Sequence, residues 1–450
     1  MKKAVAIFSI ILLFTPSLFA QKAKYVVLVS VDGFRPDFYL DPSWPTPNMQ
    51  QMLKKGVHAQ GVRGVFPTVT YPSHTTLVTG TKPAKHGIVY NTPFEPKGQT
   101  GRWYMEAKEI KTETLWDALR NAGLKSSAVS WPVTVGAPID YNIPETWSSK
   151  TPGDRRGATS EQATPKGLFE EVQEFATGKM DANGLNLKYN GMNENLARIT
   201  AYLIGKYKPN LIAVHLPCTD GAQHADGRES DNVRTAVASA DHAIGTILEA
   251  LEKAGIEDST AIIITGDHGF VDTHTGISPN VWLEQAGLTG KTADRGNWKA
   301  SFLSSGGAAF LHLKDPKDEK TLIQVKKTLA ALPANQQDLF RIVDRAELDR
   351  VGASPDAALA LAARQGIRFG NSAEGAVFNP APGGAHGYYP DFNEIRTGFI
   401  ATGAGINKKG VYQEIGLEDI APLIAALLGI ELKQADGMVH PGMFTPVKKK

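Results

Sequence analysis

Cysteine is almost missing from this sequence: Cys218 is the only one in 450 residues. That excludes an intramolecular disulfide framework and any zinc finger built on thiolates. Charge of either sign is not in excess, with 48 Lys and Arg against 46 Asp and Glu and a formal net charge of +2. No basic stripe or patch breaks this balance, so sequence-specific nucleic-acid binding through phosphate neutralisation is not expected. Long apolar runs are also lacking. The run Ala4–Phe14 falls short of the roughly 20 residues that span a bilayer, and no second run of that kind follows. There is no internal repeat, and no low-complexity tract beyond Lys448, Lys449 and Lys450. With 42% hydrophobic and 21% charged residues, global disorder is excluded as well.

What is present begins with residues 1–20, which read as a secretory signal peptide. Lys2 and Lys3 form a basic start, the apolar run follows, and Ala20 is a small residue at a cleavage point before Gln21. No cysteine stands there to carry a lipid. The expected location is therefore secreted or periplasmic, with no membrane span. The remaining chain, about 430 residues, is long enough for one large domain with an insertion.

Short apolar runs alternate with amphipathic stretches, a pattern that predicts α/β architecture with a mostly parallel sheet covered by helices on both faces. Tyr25–Val31, Leu211–Leu216 and Ala261–Thr265 are continuous apolar runs, as buried parallel strands require. Helices are expected over Thr114–Ala122, Glu194–Lys206, Asn232–Ala254 and Leu417–Leu428, with a late strand over Thr397–Thr402. The texture changes between Asn297 and Gly375. There Ala308–Leu313 reads as a strand, and Glu319–Leu332 and Asp356–Gln365 read as helices. The expected organisation is a main domain of residues 21–296 and 376–450, interrupted by a small α/β subdomain over 297–375.

Three of the buried runs end in the same kind of event. Val31 is followed by Asp32-Gly33, Leu216 leads into Asp220 with His224 four residues on, and Thr265 leads into Asp267-His268-Gly269. A fourth cluster, Gly383-Gly384-Ala385-His386-Gly387, places a histidine in a glycine-rich loop. Ligands of open α/β sheets bind outside the carboxyl ends of the strands, where such loops converge. Three carboxylates and three imidazoles gathered there suit zinc-like dications better than magnesium or calcium. The set exceeds what one tetrahedral ion needs, so two metals is the natural count.

The stretch Gly64–Gly80 carries five threonines, one serine and one histidine, with Pro67 and Pro72 fixing the backbone. A hydroxyl beside dications can be activated as a nucleophile, but physics alone does not choose among Thr68, Thr70, Ser73, Thr75 and Thr76. Some of them are expected to cap a helix beginning near Ser73. The remaining histidines are expected to be structural: His215 packing inside its strand, His74 and His86 supporting turns. Cys218 reads as a small buried residue.

These motifs resemble those of the nucleotide pyrophosphatase/phosphodiesterase family within the alkaline phosphatase superfamily, and the chain looks like a bacterial secreted member. The likeness runs through Val31-Asp32-Gly33-Phe34-Arg35, Pro67 to His74, Val78-Thr79-Gly80 and His86-Gly87-Ile88. It continues through Asp220-Gly221-Ala222-Gln223-His224, Asp267-His268-Gly269 and His386-Gly387-Tyr388 to Asp436-Gly437. Departures are Ser73 for a frequent Asn, Gln223 for a frequent Gly and Tyr71 for a common Phe; none removes a ligand.

The resemblance implies a hydrolase of phosphodiester or pyrophosphate bonds with two Zn2+ per chain and a phosphothreonine intermediate on Thr70. It implies that one zinc is held by Asp32, Asp267 and His268 and touches Thr70, and the other by Asp220, His224 and His386. Asn91 falls where the family places an amide on the phosphoryl oxygens, helped by a backbone N–H such as that of Tyr71. The Tyr71 ring is expected at the substrate, a small nucleotide-like or phospholipid-like phosphoester; Trp131, in a segment resembling the family's Trp-Pro, is placed either at the same pocket with Trp147 or in the core. A phosphomonoesterase of the same superfamily is the alternative, but Ser130–Asp140 holds none of the Lys and Arg that such enzymes place on extra phosphate oxygens. A non-catalytic zinc-bound binding protein is the remaining reading, and Thr70, Asn91 and six intact ligands speak against it.

Overall fold

The computed structural model describes residues 22–95, 101–151, 153–290 and 298–445. The expected signal segment, Asn297 and the terminal lysines lie outside the described residues. Eight strands form the main sheet, in the order Gly410–Tyr412, Val57–Ala59, Phe399–Gly403, Thr260–Gly266, Tyr25–Val31, Leu211–Leu216, Ser126–Val129, Tyr141–Ile143. The strand Tyr25–Val31 is parallel to both neighbours, and the pairings continue parallel to Tyr141–Ile143. Only Phe399–Gly403 runs against its neighbours. The fold is thus the expected mostly parallel α/β sheet.

Strand residues alternate between two buried faces. Val27, Val29 and Val31 pack with residues of the helices Gly191–Tyr207 and Asp231–Lys253. Val26 and Leu28 pack on the other side with Leu77 and Val78 of helix Thr70–Thr79 and with helices Leu115–Asn121 and Ile420–Leu428. Both faces being covered explains why these strands are mostly apolar, Ser30 and His215 excepted. Helix Leu115–Asn121 is started by a capping box between Thr114 and Asp117, and Ile420–Leu428 is stopped by Gly429 in the left-handed conformation. The predicted helix over Leu417–Leu428 is split, its first three residues forming a 3-10 turn.

Between Gly266 and Phe399 the chain builds two further sheets. A four-stranded antiparallel sheet has the order Phe340–Val343, Leu359–Ala363, Ala308–Leu313, Ala300–Ser304. A three-stranded one pairs Val271–Ile277 with Gly366–Phe369 and Phe378–Ala385. The strand Ala308–Leu313 and the helix Glu319–Ala330 match their predictions. The helix predicted over Asp356–Gln365 is replaced by the strand Leu359–Ala363. Its Ala and Leu residues favour a helix locally, but all five are buried and two strands flank them, so pairing and burial override propensity. Among the described residues, no helix is long and apolar enough to cross a membrane.

Candidate metal centre and active site

Parallel register brings the ligands to one level. Val31 pairs with both Leu216 and Gly266, so Asp32 and Asp267, the next residues, leave the sheet side by side. Asp220 stands in the first turn of helix Cys218–Asp226, and His224 follows one turn later on the same face. His386 arrives from the end of the strand Phe378–Ala385; Gly383-Gly384, expected in a loop, belong to that strand. The glycines allow close approach: a Cβ on Gly384 would lie 2.5 Å from the Gln223 carbonyl oxygen, and one on Gly383 2.3 Å from that of His224.

The six expected ligands fall into two groups. His224 Nε2 and His386 Nε2 lie 3.1 Å apart, at 3.3 and 3.5 Å from Asp220 Oδ1. His268 Nε2 lies 3.4 Å from Asp32 Oδ1 and 3.2 Å from Asp267 Oδ2. A tetrahedral ion with bonds of about 2.0–2.1 Å has ligand–ligand edges of about 3.3–3.4 Å, so Asp220, His224 and His386 have the dimensions of a metal shell, whereas Asp267, expected to share an ion with Asp32 and His268, belongs to neither compact three-residue group among the described residues and approaches through His268. Asp220 also comes together with Asp32 and His268, which places its carboxylate between the two groups.

Hydrogen bonding fits the same purpose. The Nδ1 atoms of His224, His268 and His386 face the carbonyl oxygens of Gly384, Gly269 and Thr68 at 3.0, 3.1 and 3.1 Å. Each Nδ1 therefore carries the hydrogen, and each Nε2 lone pair is left for a cation. Asp32 Oδ1, Asp220 Oδ1, Asp267 Oδ2 and His268 Nε2 are buried without a hydrogen-bond partner. Buried carboxylate oxygens without donors are costly unless a cation meets them. Asp32 feels this directly: burial, then the charges of Asp267 and Asp220, raise its pKa well above the ordinary value. Burial also works against the charge of Asp220, but His224, His386 and His268 hold its carboxyl well below the usual range. Burial lowers His268 to about 4, and lowers His386 well below the ordinary histidine value.

The hydroxyl-rich segment forms the helix Thr70–Thr79, every residue of which is buried. It begins at Thr70 rather than near Ser73, with no side-chain cap, so the expected capping role is not what these hydroxyls do. Thr75 donates to the Tyr71 carbonyl and Thr79 to that of Thr75, each one turn back, which lets threonines line a buried helix. Thr68 donates to the Tyr388 carbonyl and Thr76 to that of Thr81, while Ser73 is wholly enclosed. Thr70 is the first helical residue and is 9% exposed. Around it the segment is laced to the ligands: Thr68 O accepts from His386, and His74, whose Nδ1 bonds Thr70 O, lies 3.8 Å from Asp267.

Asn91 is half-buried beside this helix, and its Oδ1 accepts the Tyr71 backbone N–H at 2.9 Å. The expected backbone donor is therefore engaged in orienting Asn91, whose Nδ2 hydrogens are left as donors. Tyr71 needs correction as a substrate contact, and Trp131 takes the core position, the second of its two expected places. Trp131 is fully buried against His74 and Trp116, and presents no surface to a ligand. Tyr71 is 1% exposed because Trp103 covers its ring, with centroids 5.2 Å apart. The partly exposed aromatic surface belongs to Trp103 and Trp147, which meet edge to face.

Sequence reasoning missed the residues that grip Asp32. His215, expected only to pack, bonds Asp32 Oδ2 through Nε2 at 2.9 Å. Thr219 Oγ1 donates to the Asp32 carbonyl, and Gln223 Nε2 to that of Gly33. The available signal was a histidine inside an aliphatic parallel strand, since a buried polar group there requires a partner.

This arrangement, carboxylates and imidazoles gathered at the edge of a mostly parallel α/β sheet, is a candidate metal centre. The family model for type I phosphodiesterase / nucleotide pyrophosphatase matches residues 26–389, and the chain belongs to that family. It is 29% identical over 279 residues to a Schizosaccharomyces pombe pyrophosphatase/phosphodiesterase, covering 61% of this chain and 50% of that protein. It is 23% identical over 433 residues to mouse ectonucleotide pyrophosphatase/phosphodiesterase family member 3, covering 90% and 42%. The chain thus spans about half the length of the curated relatives it matches. Human ectonucleotide pyrophosphatase/phosphodiesterase 5 superposes with a TM-score of 0.66 at 22% identity, over 92% of this chain and 97% of that one. An inactive threonine-to-alanine form of the murine protein, in complex with AMP, gives 0.67 at 21% identity with the same coverage.

Proposed function

We propose that this chain hydrolyses phosphodiester or pyrophosphate bonds of small nucleotide-like substrates, through Thr70 and two zinc ions. The observation that carries this reading is the gathering of Asp32, Asp220, Asp267, His224, His268 and His386 beside the helix that starts at Thr70. Asp32, Asp267 and His268 would hold one ion, near Thr70, and Asp220, His224 and His386 the other. Paired dications activate an attacking oxygen and neutralise a leaving one in an in-line displacement.

The chain's own part follows. Thr70, at the helix start, is the hydroxyl not tied to a backbone carbonyl and not wholly enclosed, so it can form the phosphothreonine ester. Asn91, held by the Tyr71 N–H, presents its amide to the phosphoryl oxygens and stabilises the charge that gathers there. Trp103 and Trp147 offer flat apolar surface to the leaving group, with the Tyr71 ring behind Trp103. The murine neighbour's inactive threonine-to-alanine form and its bound AMP support both a threonine nucleophile and a nucleotide-sized substrate.

The test is hydrolysis of p-nitrophenyl phosphate beside the p-nitrophenyl ester of thymidine monophosphate, before and after chelation. The expected result is a large preference for the diester, abolished by chelator and restored by zinc better than by magnesium. Preference for the monoester moves the chain to the phosphomonoesterase reading; activity that survives complete metal removal overturns the proposal.

A further inference from the structure

A buried line of contacts runs from the metal ligand Asp32 to the aromatic surface, through residues that no motif includes. His215 Nε2 lies 2.9 Å from Asp32 Oδ2. On the other side of the ring, Nδ1 lies 3.1 Å from the Ser130 carbonyl oxygen and 3.5 Å from Glu145 Oε2. The ring thus bridges the Asp32 carboxyl on one side and the Ser130 carbonyl on the other. Ser130 presents its carbonyl from a left-handed backbone, φ 54°, a conformation that non-glycine residues adopt where the surroundings impose it. Glu145 in turn pairs with Arg155 at 3.3 Å, and the Arg155 guanidinium lies 4.8 Å over the ring of Trp147. Asp32, His215, Glu145 and Arg155 are between 1 and 9% exposed.

The consequence for Asp32 is geometric. Its main chain is fixed by Thr219 and its Oδ2 by His215. Oδ1 is left without a hydrogen-bond partner and 3.4 Å from His268 Nε2, in the position of a ligand atom. A carboxylate free to rotate would lose that aim. Outer hydrogen bonds of this kind orient ligands and tune affinity.

We propose that His215 is the positioning residue for Asp32, and that Glu145 and Arg155 join this restraint to Trp147 at the substrate surface. The inference deepens the two-zinc reading above and rests on it. It assigns a role to a histidine, a glutamate and an arginine outside every metal-binding motif. It also links the metal ligand to the substrate side of the site by direct contact.

Two substitutions separate positioning from simple filling of space. His215→Gln places an amide nitrogen where Nε2 stood and keeps the bond to Asp32; His215→Asn places one where Nδ1 stood and loses it. Zinc affinity is measured by competition with a chromophoric chelator, with His386→Ala in the background so that the Asp32 group alone is read. His215→Asn is expected to weaken that group about 10- to 100-fold, and His215→Gln to stay within about threefold of the parent. In the otherwise native chain, His215→Asn is expected to lower kcat on the thymidine diester with KM little changed. Equal loss in both variants, or loss in neither, overturns the assignment.

Thermal unfolding of the metal-free proteins checks that each variant folds. Should either fail to fold, Glu145→Gln keeps the shape and removes the charge behind His215; it is expected to weaken the same group by a smaller factor, and unchanged affinity overturns the proposal. A native protein that takes up no zinc overturns the two-zinc reading itself and this inference with it. Two tight zincs in the native chain with indifferent His215 variants overturn only the role given to His215.

Discussion

The Nδ1 of His386 and the backbone N–H of Gly387 both reach the carbonyl oxygen of Thr68, at 3.1 and 2.9 Å. One carbonyl thus joins the last ligand in the chain to the segment that leads into Thr70. Gly387 holds this junction at φ +85°, and a Cβ there would lie 1.6 Å from the Ser305 carbonyl oxygen. Backbone on both sides leaves no side chain to swing aside. Gly387→Ala is therefore expected to destabilise the fold by more than about 2 kcal/mol and to lower the bound metal by about one ion per chain. Urea melts of the metal-free protein and metal analysis of the loaded one check this, and native values in both refute it.

The aromatic surface makes a second prediction. Trp103 covers Tyr71 and abuts Trp147, and its indole is one of the partly exposed flat rings of that cluster. Stacking of a base on an aromatic side chain contributes about 1–3 kcal/mol. Trp103→Ala is expected to raise KM for a thymidine diester about tenfold or more, with a smaller effect on a diester lacking a base. Steady-state kinetics on the two substrates decides it. An equal change on both removes Trp103 from base recognition.

Much of this was legible in the sequence because parallel strands leave a plain trace. Tyr25–Val31 and Leu211–Leu216 are buried on both faces, so each reads as a mostly apolar, non-alternating run with the limits it has in the structure. The register of Tyr25–Val31 with Thr260–Gly266 then brings Asp32 and Asp267 level, although they lie far apart in the sequence. Leu359–Ala363 was illegible for the opposite reason: its Ala-rich composition favours a helix, and only the strands on either side make it extended. Trp131 stays open between pocket and core in the sequence because a tryptophan beside a motif looks the same whether it lines a slot or fills a core. His215 was hidden because its two acceptors, Asp32 and Ser130, come from two other segments, 183 and 85 residues away.

Thr70 supports a third prediction. The three residues proposed to hold the nearer ion do not include it, so on that reading its hydroxyl can be removed without emptying the site. Thr70→Ala is expected to lower kcat on the thymidine diester by at least about 10³-fold while zinc content stays near the native value. Thr70→Ser, which keeps the hydroxyl, should retain far more activity. Trapping after denaturation with a substrate labelled at phosphorus should mark the native chain and not the alanine variant. Native turnover in Thr70→Ala removes the nucleophile assignment.

The last prediction concerns acid stability away from the metals. His86 is fully buried; its Nδ1 accepts the Ile88 N–H at 3.1 Å, and its Nε2 lies 3.1 Å from Thr76 Oγ1. A proton added at Nδ1 would face another N–H in a site without water access. Burial accordingly lowers its pKa from 6.5 to about 3. The folded state thus refuses a proton that the unfolded chain accepts. Above pH 6.5 neither state binds it and stability is unaffected. As pH falls from 6.5 towards 3 the unfolded chain gains the proton first, and stability drops by about 1.4 kcal/mol per pH unit from this residue. Below about 3 both states are protonated and the effect levels off. His86→Gln cannot titrate, so the metal-free variant should lose stability less steeply than the native protein between pH 6 and pH 4, whatever its stability at pH 7. Urea unfolding at several pH values in that window measures the two slopes, and equal slopes would show that His86 is protonated in the folded protein.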